Sequence, residues 1–419
     1  MRESVLVLSQ CLPYPPHSGV ANRTFNILVQ LQRGFDVHLV AFSRRNHQAD
    51  AAARRTACQA LAERLTAVHE PAPIPGEHSR LARMTSHLQS VLSNRPYTLY
   101  EYRSGIFARS LDAALSSSSP ALVHMDSLDL YGWISRLPPV PLAVTHHSVE
   151  SDLLRARARR ITAMPLRGYL RHQARLVETI ERQWCSRIGL NVMMSETDGE
   201  KLRALAPGAR TVTVPNGVDI DYFTPQSGTR QPGQILFLGP TYMYPNRDAV
   251  QWFLETMWDG VRQAVLNAEL HLVGKNPPAD RERFCGWTGV RCHGYVPDVR
   301  PHLAAASCSI VPIRVGGGTR LKILDSWAAG TAVVSTTVGC EGLEARDGDN
   351  ILIRDDPRGF AEAVVQVLSD ADLRRRLENA GRATAESRYS WRVIGDGLIA
   401  AYQALLTGGA ANRRAHLMD

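Results

Sequence analysis

The sequence predicts an α/β protein built from two doubly wound halves, each with a parallel β-sheet between helices. The first observation is a series of short, continuously apolar segments, which are typical of parallel strands buried on both faces. The second is that segments with helical spacing of hydrophobic residues separate them. The third is the length of 419 residues, which suits two or three domains.

The first half begins with a strand, loop, helix and strand, which is the opening unit of a doubly wound fold. Residues 4–9 form the first strand, and a loop rich in proline leads to Gly19. A helix is predicted over residues 21–33. Further strands are predicted over residues 36–42, 121–124, 142–145 and 191–194.

A second series of strands follows residue 210. They are predicted over residues 212–214, 234–238, 269–273, 290–293, 308–312 and 332–335. The stretch 214–232 contains several prolines and glycines and marks the boundary between the halves. We therefore assign domains to residues 1–214 and 215–388, and a C-terminal helix to residues 389–419. That helix is expected to end at Gly408-Gly409.

Composition excludes several classes of protein. Hydrophobic residues make up 44% and charged residues 21%, as in ordinary globular proteins. No run reaches the roughly 18 apolar residues of a membrane-spanning helix, and the apolar stretch 5–8 is too short for a secretory signal. The seven cysteines are scattered without a Cys-x-x-Cys pair. We expect reduced thiols in a cytoplasmic protein, rather than disulfides or a zinc site.

The net charge of +8 is compatible with nucleic acid, an anionic membrane surface or a phosphorylated substrate as partner. No nucleic-acid-binding motif is visible, so nucleic acid is not expected. Nine arginines lie within residues 155–187, where Leu170, Leu176, Ile180 and Trp184 have roughly helical spacing. Such a helix would lie against an anionic membrane, and the alternative is a surface helix packed on its own domain.

The strongest functional motif is a glycine-rich segment after the 308–312 strand. It consists of Gly316, Gly317, Gly318, Thr319, Arg320, Leu321 and Lys322. Three glycines let the backbone approach a ligand, and the following helix, from about residue 319 to Gly330, would present an N-terminus that suits phosphate. The spacing excludes a P-loop. The alternative is an exposed turn with two solvated cations.

Other candidate residues lie at strand ends and helix starts. Asp325, one to two turns into the helix, can accept hydrogen bonds from ribose hydroxyls. Gly19 precedes the first helix, as part of an anion site or of a simple tight turn. His146 and His147 follow the 142–145 strand, at the end where ligands of open α/β sheets bind. Glu341 follows the 332–335 strand and either contacts ligand hydroxyls or caps a helix.

Several segments, in order, resemble glycosyltransferase family 4, the retaining GT-B family. They are residues 215–219 with Phe223 and Pro225, 237–239, 244–246, 294–299, the glycine-rich segment and 341–343. The resemblance covers nearly the whole chain. It implies two facing Rossmann-like domains with a cleft between them and a C-terminal helix that crosses back. The N-terminal domain would bind the acceptor, and the C-terminal domain the nucleotide sugar.

The resemblance also implies an activity. The chain would be a retaining hexosyltransferase that moves a sugar from a nucleoside diphosphate sugar, such as a UDP-sugar, to a hydroxyl of a sugar or lipid-linked acceptor. It would act in the synthesis of bacterial polysaccharides, glycolipids or other glycoconjugates. It would be cytoplasmic, at the inner face of the membrane. No metal or further cofactor is expected, so Asp219 and Asp221 are not interpreted as a metal-binding pair. A catalytically inactive nucleotide-sugar-binding protein and a GT-B epimerase remain as alternatives.

Site residues carry over from the family by position. His147 is in register with a histidine that contacts the donor sugar and shields positive charge at its anomeric carbon, and His146 is the fallback. Gly19 stands where a glycine pair approaches the donor phosphate and the acceptor. Gly239 lies at the start of the donor domain and is expected to contact the donor.

Two departures from the family affect the glycine-rich segment. Many members carry two glutamates separated by seven residues, and these positions hold Gly317 and Asp325 here. Many also carry an arginine and a lysine after the first strand of the donor domain, whereas the corresponding positions here, Pro240 and residues 244–246, have neither. We therefore expect Arg320 and Lys322 to take over the charge of the donor diphosphate and to act in catalysis.

Overall fold

The computed structural model describes residues 2–16, 18–226, 230–316 and 320–415. The chain forms two compact units, Met1–Pro215 with Gly395–Asp419, and Asn216–Ile394. Each unit contains one sheet, and its paired strands within the described residues run parallel. The predicted site residues Gly317, Gly318 and Thr319 lie outside the described residues.

The first unit has a sheet with the strand order β3-β2-β1-β5-β6-β7-β8, with β4 paired to β2. Its strands are β1 (Ser4–Ser9), β2 (Asp36–Ser43), β3 (Ala67–Val68), β4 (Ala72–Pro73), β5 (Leu122–Met125), β6 (Leu142–His146), β7 (Leu190–Met193) and β8 (Thr211–Thr213). Its helices are α1 (Gly19–Leu31), α2 (Ala51–Ala62), α3 (Pro75–His78), α4 (Arg80–Ser93), α5 (Thr98–Glu101), α6 (Gly105–Ser118), α7 (Glu150–Arg160), α8 (Met164–Trp184) and α9 (Glu196–Leu205), with a 3-10 helix over Leu128–Arg136. The order reverses between β1 and β5, whose carboxyl ends flank the switch point where ligands of such sheets bind.

The second unit has the strand order β11-β10-β9-β12-β13-β14. Its strands are β9 (Gln231–Leu238), β10 (Glu269–Val273), β11 (Val290–Gly294), β12 (Ala306–Val311), β13 (Val333–Ser335) and β14 (Leu352–Ile353). Its helices are α10 (Tyr244–Thr256), α11 (Trp258–Ala264), α12 (Pro278–Cys285), α13 (Arg300–Ala305), α14 (Leu321–Ala328), α15 (Pro357–Ser369) and α16 (Ala371–Thr384), with a π-helical segment over Ala385–Tyr389. A last helix, α17 (Trp391–Ala415), begins in this unit and belongs to the first unit from Gly395 onward. The switch point of this sheet lies between β9 and β12.

The apolar runs of the sequence become the central strands of the two cores. Residues 5–8 of β1 are fully buried, and so is the whole of β12. Helices pack on both faces of such strands, which therefore carry continuous rather than alternating hydrophobic residues. The strands predicted over residues 4–9 and 269–273 match β1 and β10 at both ends.

Three expectations about elements were incomplete or wrong. The 212–214 strand, grouped with the second series, corresponds to β8 and pairs with β7 in the first sheet. The two-residue strands β3, β4 and β14 were missed because they are too short to show a pattern. The last helix does not end at Gly408-Gly409, since α17 continues to Ala415. A glycine inside a helix costs only about 1 kcal/mol and does not by itself end it.

The expectation that all cysteines are reduced is wrong for one pair. Cys285, the last residue of α12, forms a disulfide with Cys292 of β11. Their Cα atoms are 6.0 Å apart, within the range that a disulfide spans. The pair escaped prediction because its spacing in sequence matches no motif, and α12 must pack against β11 to bring the two residues together. The other five cysteines are free.

Candidate functional site

Gly239 marks the switch point of the second sheet, directly after β9. Its φ is +143°, a conformation that favours glycine, and its N–H donates to the carbonyl of Val273 at 2.8 Å. A Cβ at this position would lie 2.8 Å from Nδ2 of Asn246 and 3.0 Å from Nζ of Lys322. The ends of β9 and β10 and the starts of α10 and α14 therefore meet around Gly239.

Lys322 lies in the first turn of α14, and its ammonium group lies at this meeting point. Nζ donates to Oδ1 of Asn246 at 2.9 Å and lies 4.3 Å from the ring centroid of Phe237, within cation–π range. Burial, with a smaller effect of the nearby Arg320 charge, lowers the pKa of Lys322 to about 7. The ammonium group is thus poorly solvated and would gain from an anionic partner.

Arg320 lies just before α14, and its guanidinium group contacts the backbone on both sides of the helix start. Nη2 donates to the carbonyls of Gly316 at 2.8 Å and Val338 at 3.3 Å. Burial lowers the pKa of Arg320, and the charge of Glu341 acts in the opposite direction. Arg320 therefore fixes the carbonyl of Gly316 and adds positive charge beside it.

Asp325 follows Lys322 by three residues, on the same side of α14. Its side chain is half-buried, and burial raises the pKa of its carboxyl to about 7. Within the described parts of the chain, this carboxyl makes neither a hydrogen bond nor an ion pair. A desolvated acceptor without a donor is costly to the fold and suits a ligand that brings hydroxyl groups.

The remaining predicted donor residues have different surroundings. Leu321 opens α14 and packs against the core of the second unit. Glu341 is exposed in the turns that follow β13, close enough for its charge to act on Arg320. Asn246 was not among the predicted site residues. Its place in the first turn of α10, where the family often carries a cation, was the signal that could have found it.

The switch point of the first sheet contains a buried carboxyl that sequence reasoning also missed. Asp126, directly after β5, accepts hydrogen bonds from Oγ of Ser9 at 2.5 Å and the backbone N–H of Gln10 at 2.9 Å. Burial raises the pKa of Asp126 to about 6.

Gly19 is the first residue of α1. The hydroxyl oxygen of Ser18, the N-cap residue, accepts a hydrogen bond from the backbone N–H of Ala21. A Cβ at Gly19 would meet nothing within 4 Å, so neither space nor backbone conformation requires glycine there.

The two histidines at the end of β6 differ in their partners. Nε2 of His146 is 2.9 Å from Oδ1 of Asn191, and the ring is buried. Nε2 of His147 is buried without a hydrogen-bond partner among the described residues. Burial lowers the pKa of each histidine to about 4, so both rings are neutral at pH 7. Nε2 of His147 therefore remains without a described partner, whereas Nε2 of His146 is already engaged.

A cavity in the first unit lies beside these histidines. Its polar lining residues are Thr98, Ser127, Asp129, Tyr131, Thr145, His146, His147, Ser148, Glu150 and Glu181. Burial raises the pKa of all three carboxyls, that of Glu181 to about 7. Among the described residues, neither lysine nor arginine lines this cavity. Its volume of about 20 Å³ is close to that of one water molecule, so it has room for a single hydroxyl group and not for a phosphate.

The arginine-rich stretch forms a helical hairpin, α7 and α8. Leu176 of α8 is buried, and Ile180 and Trp184 pack against the core of the first unit, so its own domain covers this part of the apolar face of α8. Met164 and Leu166, at the start of α8, are exposed. A groove between the helices is lined by Arg155, Arg159, Arg171 and Arg175. No helix in the described ranges is long and apolar enough to span a bilayer.

The neighbouring helix α4 exposes an apolar stripe that was not predicted. Its members are Leu81, Met84, Leu88, Val91 and Leu92, with exposed fractions from 50% to 77%. Helix α4 contacts α8 directly, since Nδ1 of His87 is 2.6 Å from the hydroxyl of Tyr169 and Gln173 donates to Ser90 at 2.8 Å. The stripe and the arginine groove thus belong to one helical layer.

Two family models match the chain in succession. The model described as Glycosyltransferase Family 4 matches residues 17–222, and that described as Glycosyl transferases group 1 matches residues 232–370. Two parallel α/β units with these matches define a glycosyltransferase of the GT-B fold, which confirms the predicted fold class. The chain belongs to glycosyltransferase family 4.

This chain is similar to known glycosyltransferases, over different shares of its length. The phosphatidyl-myo-inositol mannosyltransferase of Mycobacterium leprae is 26% identical over 291 residues, which is 66% of this chain and 71% of that protein. The lipopolysaccharide core biosynthesis glycosyltransferase LpsE of Rhizobium meliloti is 37% identical over 121 residues, 28% of this chain and 32% of that protein. The structure of Anabaena HepE, in complex with UDP and glucose, superposes with a TM-score of 0.65 at 13% identity, covering 96% of this chain and 100% of that one.

Proposed function

We propose that this glycosyltransferase moves a sugar from a nucleoside diphosphate sugar to a hydroxyl acceptor with retention of the anomeric configuration. The observation that carries the proposal is the position of Lys322. Its ammonium group lies at the switch point of the second sheet, next to the N-terminus of α14, and its described contacts are an amide oxygen and a ring face rather than a carboxylate. An incoming diphosphate supplies the missing negative charge.

Catalysis in this proposal is mainly electrostatic. As the glycosidic bond to the diphosphate breaks, negative charge grows on the leaving oxygen, and Lys322 and the N-terminus of α14 stabilise it. Arg320 holds the carbonyls of Gly316 and Val338 and adds positive potential. The retaining reaction proceeds as a front-face substitution without an enzymic nucleophile. Nε2 of His147, buried without a described partner, is a candidate for a hydrogen bond with a sugar hydroxyl.

The donor is proposed to be a UDP-sugar. Asp325 supports a nucleoside portion, because its carboxyl can accept hydrogen bonds from ribose hydroxyls and has no competing donor among the described residues. The HepE structure contains UDP and glucose, which supports uridine as the nucleoside. Gly239, Gly316 and the glycines outside the described residues would let the backbone approach the diphosphate.

The acceptor is proposed to be a polyhydroxylated headgroup on a lipid, in glycolipid or polysaccharide synthesis. The apolar stripe of α4 and the arginine groove support binding to an anionic membrane from the cytoplasmic side. The Mycobacterium leprae relative is a phosphatidyl-myo-inositol mannosyltransferase, whose name describes a lipid acceptor of this type.

The test is transfer from a panel of nucleotide sugars to lipid-linked and soluble polyols, with EDTA present. We expect one UDP-sugar to support transfer without a divalent metal, and nuclear magnetic resonance of the product to give the anomeric configuration of the donor. An inverted product would overturn the retaining mechanism. Donor binding without transfer to any acceptor would favour an inactive binding protein, and conversion of the donor alone would favour an epimerase.

A further inference from the structure

Three histidines from three different elements converge on one side of the second sheet. His271 lies in β10, His293 in β11 and His302 in α13, and one ring nitrogen from each lies within 4.8 Å of the other two. Nε2 of His293 is 3.1 Å from Nδ1 of His271, and the rings of His293 and His302 have centroids 4.5 Å apart. Residues separated by 22 and 9 positions in sequence meet here because β10 and β11 are paired and α13 returns against them.

A carboxylate orients the most buried of these rings. Nε2 of His271 is 3.3 Å from Oε2 of Glu269, and Arg291 holds the same carboxylate with two hydrogen bonds of 2.9 and 2.6 Å. A histidine that donates its Nε2–H to a carboxylate keeps a lone pair on Nδ1, and this is the usual arrangement around protein-bound metal ions. That lone pair faces His293.

The ligand set restricts the metal. Imidazole nitrogens suit zinc, copper, nickel and cobalt, whereas magnesium and calcium prefer oxygen ligands. Three protein nitrogens leave one tetrahedral position for water. The carboxylate of Glu269 is already held by Arg291 and contacts the ring of His271. The carboxylate of Asp298, whose charge acts on His302, is held by Arg300. The arrangement therefore resembles a zinc site more than an oxygen-based one.

We propose that His271, His293 and His302 bind one divalent transition metal ion, with Zn²⁺ as the preferred ion. The site is separate from the residues that surround Lys322, and its metal takes no part in sugar transfer. His293 and His302 stand on either side of the 294–299 segment, which contains the exposed Tyr295 and leads into α13. Bound metal would tie the end of β11 to α13 and fix this segment.

The experiment is a calorimetric titration of the full-length protein with ZnCl₂ after treatment with EDTA and its removal. We expect one equivalent of zinc to bind, and the visible absorption of tetrahedral cobalt to appear when CoCl₂ is used instead. His293→Asn and His302→Asn should each abolish this equivalent. Glu269→Gln should keep the stoichiometry and weaken binding roughly 10–100-fold, because it removes the carboxylate that orients His271.

The matched control is the double variant H38N and H69N in the first unit. These two rings stack with centroids 6.0 Å apart but have no third histidine in the described cluster, so their loss should leave zinc binding unchanged. Circular dichroism of the EDTA-treated variants verifies that they fold. Absence of binding in the wild type, or one equivalent retained in both His293→Asn and His302→Asn, would overturn the proposal. Sugar transfer, assayed with EDTA, should be unaffected by either variant.

Discussion

The ammonium nitrogen of Lys322 lies 2.9 Å from Oδ1 of Asn246, which connects the first turn of α14 with the first turn of α10. These helices follow β12 and β9, the two strands on either side of the switch point. In the family, the segment after the first strand of the donor domain often carries the cations. Here a lysine from α14 reaches that same place, and the amide of Asn246 holds it there.

Replacing Lys322 with alanine should lower kcat by roughly 10²–10³, because loss of one preorganised group that stabilises transition-state charge has about this effect. Arg320→Ala should also lower turnover strongly. Steady-state kinetics with the active UDP-sugar measures both. Lys201→Ala is the matched control, since Lys201 is an exposed lysine of α9 near Asp198 and should leave kcat unchanged. Near-wild-type turnover in both site variants would remove the proposed diphosphate site.

The pH dependence of kcat/KM should be bell-shaped with its maximum near pH 7. Lys322 has a pKa lowered to about 7, so its charge is present below pH 7 and is lost above it. Asp325 has a pKa raised to about 7, so its ionised form is present above pH 7 and is lost below it. This profile reports the free enzyme, whereas donor binding should widen the profile of kcat. Lys322→Arg should remove the fall of kcat/KM at alkaline pH, and Asp325→Asn should remove its fall at acidic pH. If both falls persist in these variants, Lys322 and Asp325 are not the groups that titrate.

Asp325→Ala should raise the KM for the donor by about tenfold or more, since a hydrogen bond to a charged group contributes about 1.5–3 kcal/mol. The wild type should discriminate against a 2′-deoxyribose or 3′-deoxyribose analogue of the donor, and the variant should lose that discrimination. The melting temperature should not fall, because the carboxyl has no described partner to leave behind. A variant that still discriminates would show that Asp325 does not contact the ribose.

His146, the last residue of β6, and His147, which follows it, should behave differently on substitution. His147→Ala should lower kcat by about tenfold or more, since its Nε2 has no described partner to occupy it in place of a ligand. His146→Asn should instead lower the melting temperature, because it disturbs the buried contact with Asn191. Thermal denaturation and kinetics on both variants separate the roles. Equal kinetic losses without destabilisation would point back to His146 as the ligand.

Vesicle sedimentation tests the apolar stripe of α4. With vesicles containing phosphatidylglycerol, the double variant L81Q and L88Q should bind about tenfold or more weakly than the wild type, since each leucine contributes apolar area that the membrane would bury. Leu266→Gln in the second unit is the control, because Leu266 is 82% exposed and lies away from α4 in sequence and domain. Unchanged binding in the double variant would exclude this stripe as the docking surface.

Much of the fold could be predicted because its signal is local. The apolar runs at residues 4–9 and 269–273 became strands with the predicted ends. The site was harder, since its members come from separate elements. Asn246 and Asp126 gain their roles from contacts with Lys322 and Ser9, which only the folded chain creates.

The same physical reason explains the other differences. The exposed face of α4 cannot be recognised from its hydrophobic spacing, because a buried face has the same period. In the structure, Leu176 of α8 is buried against the core, whereas Leu88 of α4 is exposed. Likewise, the disulfide between Cys285 and Cys292 depends on how α12 packs.

The raised and lowered pKa values on α14 have a consequence for the heat of donor binding. A diphosphate draws Lys322 toward its charged form, which takes up a proton, while ribose hydroxyls draw Asp325 toward its ionised form, which releases one. Since both pKa values are about 7, the uptake and the release cancel near neutrality. The calorimetric enthalpy of donor binding should then be the same in buffers of different ionisation enthalpy. Asp325→Asn would unbalance the exchange, and its binding enthalpy would vary from buffer to buffer.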